Sequence, residues 1–555
     1  MVQNLDYVAK SGQKDAANRC EEMLLRIEAL HEDGYYEKAP DVVSYNSVIN
    51  SYAQGKNTKQ NNMSRSGNAK RLMKRMDEKG IKPNTITWNT LLRCILKEIQ
   101  ESKQHSEEKV REAESILLDM EKSNIANTIS YNTVISIISK SGSTLKDGAE
   151  RAEGWLIRLL ELYATTKNER IQPDTTTFNS VIHAYANVGR SSGASDRATK
   201  AEQLLKQMEQ LYKSGENDNV KPDVVSYSAV VNSFARASSE DSWCAARALA
   251  LLEHMEELHK DGDKDVKPNK RTYTSVINAF SRIFLPETAD DLLTKMKERY
   301  EMGDASLKPD TVCYSSVIDG YARKGGEESA FRAEELLHEM QDSYNNGDYD
   351  VKPNAQTYRS VITALGKSKQ SRAAEKAEQI LEEMEYLSSQ GATDIAPNTI
   401  TYNSVIDCFA RSKSVCKAYR AELLLEKMLE ESAKGRKRIQ PDSITFNTVI
   451  SAAARSTYGD SIVRKEAFNI ALNAFRQVHT LDYCRPSFIT YISYLKLLDN
   501  LTEKGEARDD MAERVYKIAL STGLANDAVK TQLRKTVSPL AAQRILYQQN
   551  ENGNE

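Results

Sequence analysis

"PDVVSYNSVINSYA", residues 40–53, decides how this chain is read, because it returns in altered form along the whole sequence. The variants include "PNTITWNTLLRCIL" (83–96), "PDTTTFNSVIHAYA" (173–186), "PNAQTYRSVITALG" (353–366), "PNTITYNSVIDCFA" (397–410) and "PDSITFNTVISAAA" (441–454). Ten of the twelve prolines open such a stretch: Pro40, Pro83, Pro173, Pro222, Pro268, Pro309, Pro353, Pro397, Pro441 and Pro486. An eleventh opening has Ala126 in the proline's place, and successive openings lie 41 to 49 residues apart. A fixed period of this size is the signature of an array of stacked supersecondary units.

Each unit reads as two helices. Proline disfavours helix in the residue before it, and the Asp or Asn that usually follows can cap the free N–H groups of a helix start. In the first unit Tyr45, Val48, Ile49 and Tyr52 then follow the i, i+3, i+4, i+7 pattern of a one-sided helix. After a polar stretch such as "QGKNTKQNNMSRSGN", a second helix begins near an alanine, as in "AKRLMKRM", "AEQLLKQM", "AEELLHEM" and "AELLLEKM". A Gly/Asp/Asn-rich segment such as "YKSGENDNV" closes the unit. A lone hairpin cannot bury its apolar face, whereas stacked neighbours bury a continuous core. The expected fold is therefore all-α, one right-handed superhelical α-solenoid. Residues 1–39 are expected to hold an N-terminal capping helix, 40–525 eleven repeats, and 526–555 a C-terminal helix followed by a disordered polar tail.

The chain's totals narrow the function. Over 555 residues the formal net charge is −3, so a bulk cationic nucleic-acid binder is excluded and any such binding must come from local patterning. Seven cysteines at 20, 94, 244, 313, 408, 416 and 484 form no CxxC pair, which points to buried single thiols rather than a zinc site or disulfide scaffold. No apolar run approaches the ~18 residues of a membrane span. The opening residues carry neither a signal peptide nor an Arg-rich transit peptide. His254 and His259 are five apart, HExxH, P-loop and GxGxxG are missing, and no catalytic or metal site and no cofactor is expected.

The letters that change are on one face of the first helix. Six residues past each opening stand Asn46, Asn89, Asn132, Asn179, Ser228, Thr274, Ser315, Arg359, Asn403, Asn447 and Ile492. Nine of these are Asn, Ser or Thr, which are mediocre helix formers, so the restriction suggests recognition, the alternative being a solvated face with capping residues. Three residues earlier come Val43, Ile86, Ile129, Val225, Val312, Ile400, Ile444 and Ile489, broken by Thr176, Arg271 and Gln356. These branched residues either pack against the previous hairpin or clamp a flat base. Fourteen past the opening, eight units carry a cation: Lys97, Lys140, Arg236, Arg282, Arg323, Lys367, Arg411 and Arg455. A helix C-terminus favours a cation in any case, but one cation per repeat also suits a phosphate chain. Together the stripes describe an extended polymer with one flat unit, one hydrogen-bonding edge and one anion per repeat. Single-stranded nucleic acid fits, and helical repeats that read one base each are a known mode of RNA recognition.

The phrase "KPDVVSYSAVVNSFAR", the lead-in Ile/Val-Lys/Gln-Pro-Asp/Asn and the Ala…Leu…Met of the second helix resemble pentatricopeptide repeats of the P type over residues 12–525. Units of that family are nominally shorter, and the surplus here lies between the helices and after the second one. The resemblance implies a base code that joins the residue six past each opening to the one just after the next. Asn46 with Asn84 and Asn89 with Asn127 then imply a pyrimidine each. Asn132 with Asp174, Asn179 with Asp223, and Asn403 with Asp442 imply uracil. Ser228 with Asn269 and Ser315 with Asn354 imply adenine, Thr274 with Asp310 guanine, and Asn447 with Ser487 cytosine. Arg359 with Asn398 stays unassigned, and Ile492 cannot read a base. The implied target is 5′-YYUUAGANUC-3′.

The resemblance also implies a non-enzymatic RNA-binding protein of mitochondria or plastids, acting in RNA processing, stability or translation with recruited processing proteins as further partners. A cytoplasmic location is expected if the chain is complete. The deaminase signature that some relatives append is missing. The competing reading is a protein-binding solenoid scaffold of the tetratricopeptide or HEAT type, which has no reason to restrict one position per unit to Asn, Ser or Thr.

Overall fold

The computed structural model describes residues 16–35, 37–54, 63–102, 105–142, 145, 147–187, 193–368, 370 and 372–552, and all regular structure among them is helical. The chain divides into two compact units, Met1–Ala279 and Phe280–Glu555. Numbering the repeats 1 to 11 by their openings, the first unit carries repeats 1 to 5, each a helical hairpin, and most of the first helix of repeat 6. The second carries the rest of repeat 6, repeats 7 to 11, and two further helices, Asp527–Thr536 and Pro539–Asn552. Within each unit, successive first helices pack on one another and each second helix packs between its own first helix and the next. This is an α-solenoid arrangement. Beyond residue 525 the sequence suggested one helix and a disordered tail, whereas the structure has a pair of helices, helical as far as Asn552. The expected insert at 55–62, the start of the capping segment before residue 16 and the tail at 553–555 lie outside the described residues.

The helix starts form as the Pro-Asx signal predicts. Asn84 Oδ1 accepts from the Thr87 N–H at 3.1 Å while Thr87 Oγ1 accepts from the Asn84 N–H at 3.1 Å, a reciprocal capping box. The same box closes at Asn127/Ser130, Asp223/Ser226, Asn354/Thr357, Asn398/Thr401, Asp442/Thr445 and Ser487/Thr490. Each such cap contributes about 1 kcal/mol. The aromatic residue five past the opening is buried, as at Tyr131, Phe178, Tyr227, Tyr402 and Phe446, in every repeat but the second, where Trp88 is half-buried. Its phenol, where it has one, donates to a carboxylate of a packed helix in every repeat but the last, as in Tyr131 to Glu121 and Tyr227 to Glu209, both at 2.6 Å, and Tyr314 to Glu339 at 2.8 Å. In the last, Tyr491 meets His479 Nε2 at 3.0 Å and Thr522 Oγ1 at 3.1 Å. A buried hydroxyl thereby keeps its partner.

The surplus length is taken up by short 3-10 turns before the next opening, Glu169–Ile171, Asp218–Val220, Ala305–Leu307, Tyr349–Val351 and Lys437–Ile439. Their last residues, Ile171, Val220, Leu307, Val351 and Ile439, are buried. The apolar lead-in is thus an anchor that resets the chain after a segment of variable length.

Three contacts fix one hairpin on the next. Small residues meet where first helices approach: a Cβ on Gly320 would stand 2.9–3.0 Å from Ser281 atoms, and one on Gly366 2.7 Å from Cys408 Sγ. A threonine two past the opening donates to the carbonyl just before the next opening: Thr128 to Gln172, Thr175 to Lys221 and Thr311 to Lys352, each at 2.8 Å, and Thr399 to Gln440 at 2.7 Å. Successive second helices are joined by ion pairs. The cation preceding the helix's alanine bonds the acid following the alanine one repeat earlier: Arg151 to Glu114 (2.5 Å), Arg332 to Asp290 (2.7 Å), Lys376 to Glu334 (2.8 Å), Arg420 to Glu378 (3.0 Å), and Arg247 to Glu202. The helix Ala16–Glu32 joins this ladder, with Glu21 on Arg71 (2.7 Å) and Glu28 on Arg75.

The seam makes a prediction about glycine. Gly154 is in a helix with nothing near its absent Cβ, whereas Gly320 faces the Ser281 backbone. Gly154→Ala is expected to stabilise by up to about 1 kcal/mol through helix propensity. Gly320→Ala is expected to lose about 1–3 kcal/mol to overpacking, read as thermal midpoints moving in opposite directions.

Candidate nucleic-acid interface

In eight repeats the residue six past the opening meets the start of the following repeat. Asn46 Nδ2 donates to Asn84 Oδ1 at 3.4 Å, and Asn89 Nδ2 to Asn127 Oδ1 at 3.1 Å. Asn132 Nδ2 reaches both oxygens of Asp174 at 3.0 and 3.2 Å, Asn179 Nδ2 reaches Asp223 Oδ1 at 3.2 Å, and Asn403 Nδ2 reaches Asp442 Oδ1 at 3.1 Å. Asn447 Nδ2 donates to Ser487 Oγ at 3.2 Å. In six repeats, therefore, the two residues coupled by the implied code are hydrogen-bonded across the junction. Two adenine pairs differ. Ser228 Oγ lies 2.8 Å from Thr272 Oγ1 rather than on Asn269, and Ser315 Oγ lies 2.7 Å from Thr357 Oγ1 rather than on Asn354. A serine is shorter than an asparagine and stops at the buried hydroxyl beneath the cap. Thr274 Oγ1 donates to the Lys270 carbonyl at 2.7 Å, and Asp310 caps its own helix, accepting from the Val312 and Cys313 N–H groups.

These asparagines are more enclosed than a solvated face would leave them: Asn46, Asn89, Asn179, Asn403 and Asn447 are 7–9% exposed. Their carbonyls fall into two groups. Asn46 Oδ1 accepts from Thr87 Oγ1 and Asn89 Oδ1 from Ser130 Oγ, both at 2.7 Å. The carbonyls of Asn132, Asn179, Asn403 and Asn447 are buried without a protein donor. The difference has a simple cause where the cap is aspartate. A hydroxyl has one proton, and a carboxylate outcompetes an amide oxygen for it. Accordingly Thr177, Ser226 and Thr445 donate to Asp174, Asp223 and Asp442 at 2.8, 2.9 and 3.0 Å. The bonds to Asp223 and Asp442 all end on Oδ1, which leaves Oδ2 of each without a donor among the described residues.

The branched row is exposed. Val43, Ile86, Ile129, Val225, Val312, Ile400, Ile444 and Ile489 keep 44–62% of their surface in solvent. Burial against the preceding hairpin therefore does not account for them. One turn on, a Ser or Thr hydroxyl bonds back to the carbonyl of the same residue, as in Thr90 to Ile86 at 2.7 Å and Ser404 to Ile400 at 2.9 Å.

The cation row is mixed. Lys97 and Lys140 are exposed, with no ion pair among the described residues. Arg236 Nη1 donates to the Ala186 carbonyl (2.9 Å), Lys367 Nζ to that of Arg323 (3.2 Å) and Arg455 Nη1 to that of Ala410 (3.4 Å), each at the end of the preceding first helix. Asn500, which stands in the cation's place in repeat 11, does the same on Ala454 at 2.8 Å. Arg323 and Arg411 are paired with Asp319 and Asp407 on their own helices, both at 2.7 Å. Arg282 is half-buried at the end of Lys270–Arg282. The row thus has a capping duty that the sequence reading gave only to the macrodipole. Burial, then the neighbouring Arg411 and Arg323 guanidiniums, push the Lys367 ammonium below the ordinary lysine value, as three successive cations on one edge require.

Between the recognition and cation rows lies a polar row missed in the sequence, ten past the opening. It contains Asp319, Asp407 and His183. Burial and then the charges of Lys140 and Arg271 push the His183 imidazolium down, against an opposing pull from Asp223. The signal for this row was its unbroken polarity. Six of the cysteines are buried as expected, but Cys416, at the start of Lys417–Ala433, is exposed. Among the described residues no cluster of His, Cys, Asp and Glu could hold a metal ion, and no helix is long and apolar enough to cross a membrane.

The geometry defines a class of protein: an array of capped helical hairpins, most of which present one exposed aliphatic residue and one polar junction pair. Residues 40–97 match the PPR repeat family, 161–236 and 335–412 the pentatricopeptide repeat domain, and 271–300 and 312–344 the PPR repeat. The chain belongs to the pentatricopeptide repeat family. Similar solved structures include the pentatricopeptide repeat protein PPR10 in complex with an 18-nt psaJ RNA element and a triple cysteine-to-serine form of it with the same element. Each is 17% identical, with 99% of this chain and 83% of the other covered and a TM-score of 0.34. No curated protein matches the chain.

The division within the cation row is measurable without a ligand. Arg236→Ala is expected to lose about 0.5–1.5 kcal/mol of stability with its carbonyl contact. Lys140→Ala is expected to stay within about 0.5 kcal/mol of the parent, as surface substitutions do. Chemical denaturation of both variants checks this.

Proposed function

We propose that this chain binds single-stranded RNA in a sequence-specific manner, one nucleotide per repeat, and acts by occupying a transcript in a mitochondrion or plastid. Occupancy would protect the RNA, block its secondary structure or position a processing protein. The observation that carries this reading is the direct bonding, in six repeats, of two residues some forty positions apart in sequence that the family's base code couples.

The donor and acceptor inventory supports the base assignments. An asparagine Nδ2 has two protons, one engaged by the cap and one left over. Beside it, Asp223 and Asp442 keep a free carboxylate oxygen. Uracil presents a carbonyl acceptor next to the N3–H donor, the complement of that arrangement. Cytosine has no N3–H, and Ser487 in the tenth pair offers a hydroxyl that both donates and accepts. The exposed Val and Ile row supplies apolar surface for the base faces. Lys97 and Lys140 are open to phosphate, while the other cations in the row have intramolecular partners to retain or exchange.

The test is binding of the ten-nucleotide RNA 5′-YYUUAGANUC-3′, its scrambled version and its DNA equivalent over a salt series. The target is expected to bind at least tenfold more tightly than the scramble. Equal affinities would reject base reading, and a preference for apolar peptides over RNA would favour the scaffold alternative. Thr274→Asn with Asp310 kept is expected to move the preference at the sixth base from G to U. An unchanged preference would show that the register is displaced.

A further inference from the structure

In repeat 8 two letters of the recognition face change together. Gln356 stands in the branched row and Arg359 in the row of Asn, Ser and Thr. The structure joins them: Arg359 Nη2 donates to Gln356 Oε1 across one turn of the helix Ala355–Lys367. Arg359 is half-buried and has no carboxylate partner among the described residues. The capping Asn398 is engaged with its own helix, accepting from the N–H and hydroxyl of Thr401 at 3.1 and 3.2 Å. A guanidinium has five N–H donors and no acceptor, so four remain, in a plane held by the Gln356 amide.

Three ligand groups offer paired acceptors to such a fork: a phosphate, the N7/O6 edge of guanine and the N3/O2 edge of an unpaired cytosine. Position along the helix separates the phosphate from the bases. The cation row of this repeat is already filled by Lys367, eight residues and about 12 Å further on. Arg359 instead takes the place held by Ser315 in the repeat before and Asn403 in the repeat after. Adenine sets an N6 donor beside N7, mismatched to a group that can only donate. Cytosine's N3/O2 pair is crowded by the N4 amino donor on one side and the sugar on the other, whereas the N7/O6 edge of guanine lies away from its sugar. Uracil offers a single O4 on that edge. Resting on the one-base-per-repeat reading above, we propose that repeat 8 reads a guanine by its N7/O6 edge. Arg359 is the specificity-determining residue and Gln356 its positioning residue, so the preferred ligand is 5′-YYUUAGAGUC-3′.

The experiment uses the full chain with four RNAs differing only at the eighth base, a fifth carrying 7-deazaguanine there, and a scrambled control. Guanine is expected to bind about tenfold or more tightly than any other base, in the range of a single bidentate contact. Removing N7 should abolish most of that advantage. Arg359→Lys keeps the charge without the fork and should lose the guanine preference while keeping affinity for the other three RNAs. If the four bases bind alike while the scramble is still rejected, Arg359 contacts phosphate and this inference fails alone. Preference for another base overturns it equally. If target and scramble bind alike, base reading itself fails and the inference falls with it.

Discussion

A hairpin in this chain is unfinished until its neighbour docks. The first helix buries one flank against its own second helix and leaves the other for the next repeat, and apolar burial of that flank drives the stacking. Burial is non-directional, so it does not set where the next hairpin sits. That is set by short-range contacts at the junction: the glycine and serine approach at Gly320 and Ser281, the threonine hydroxyl on the carbonyl before the next opening, and the ion pair between second helices. Each is stereochemically narrow and each recurs. The repeated phrase is therefore mainly a docking instruction.

The ladder of ion pairs also explains the charge of the chain. A formal net charge of −3 conceals a division in which many acids are tied up in second helices by cations of the following second helix. The first helices carry few acids. Of the acids that do occur there, Asp319 and Asp407 neutralise the cations one turn on, while Glu98, Glu101 and Asp499 pair with Lys109, Arg65 and Arg508. A total near zero is thus compatible with an edge able to face phosphate, because the compensating charge is short-circuited elsewhere.

The sequence made the hairpins, their order and the buried aromatic legible because proline, Asx caps and 3.6-residue periodicity are local signals. The exposed aliphatic row was legible in position, but its exposure was not, since Ile86 in a helix looks the same packed or open. What the letters could not reveal was competition for protons. Nothing in "PDTTTFN" says that Thr177 donates to Asp174 and thereby leaves the Asn132 carbonyl without a donor. Nor did the cation count reveal that Arg236 and Arg455 bond carbonyls of the previous helix, because that partner is some fifty residues away. The alanine that opens each second helix was legible, but not that the cation before it and the acid after it link successive repeats.

Eleven versions of one socket are present in a single chain, and they work as a set of natural replacements in a constant frame. The position six past the opening holds amides, hydroxyls, a guanidinium and once an isoleucine, while the caps, the buried aromatic and the stacking persist around it. The hydrogen bonds reroute instead of breaking: Asn179 turns to a carboxylate, Ser228 to a hydroxyl, Arg359 to a glutamine on its own helix. Under the base reading proposed above, recognition and most of the architecture are inherited through different letters. A lineage built on this fold could then change what it recognises by drifting six past the opening and among capping residues just after it, without first solving the problem of folding again.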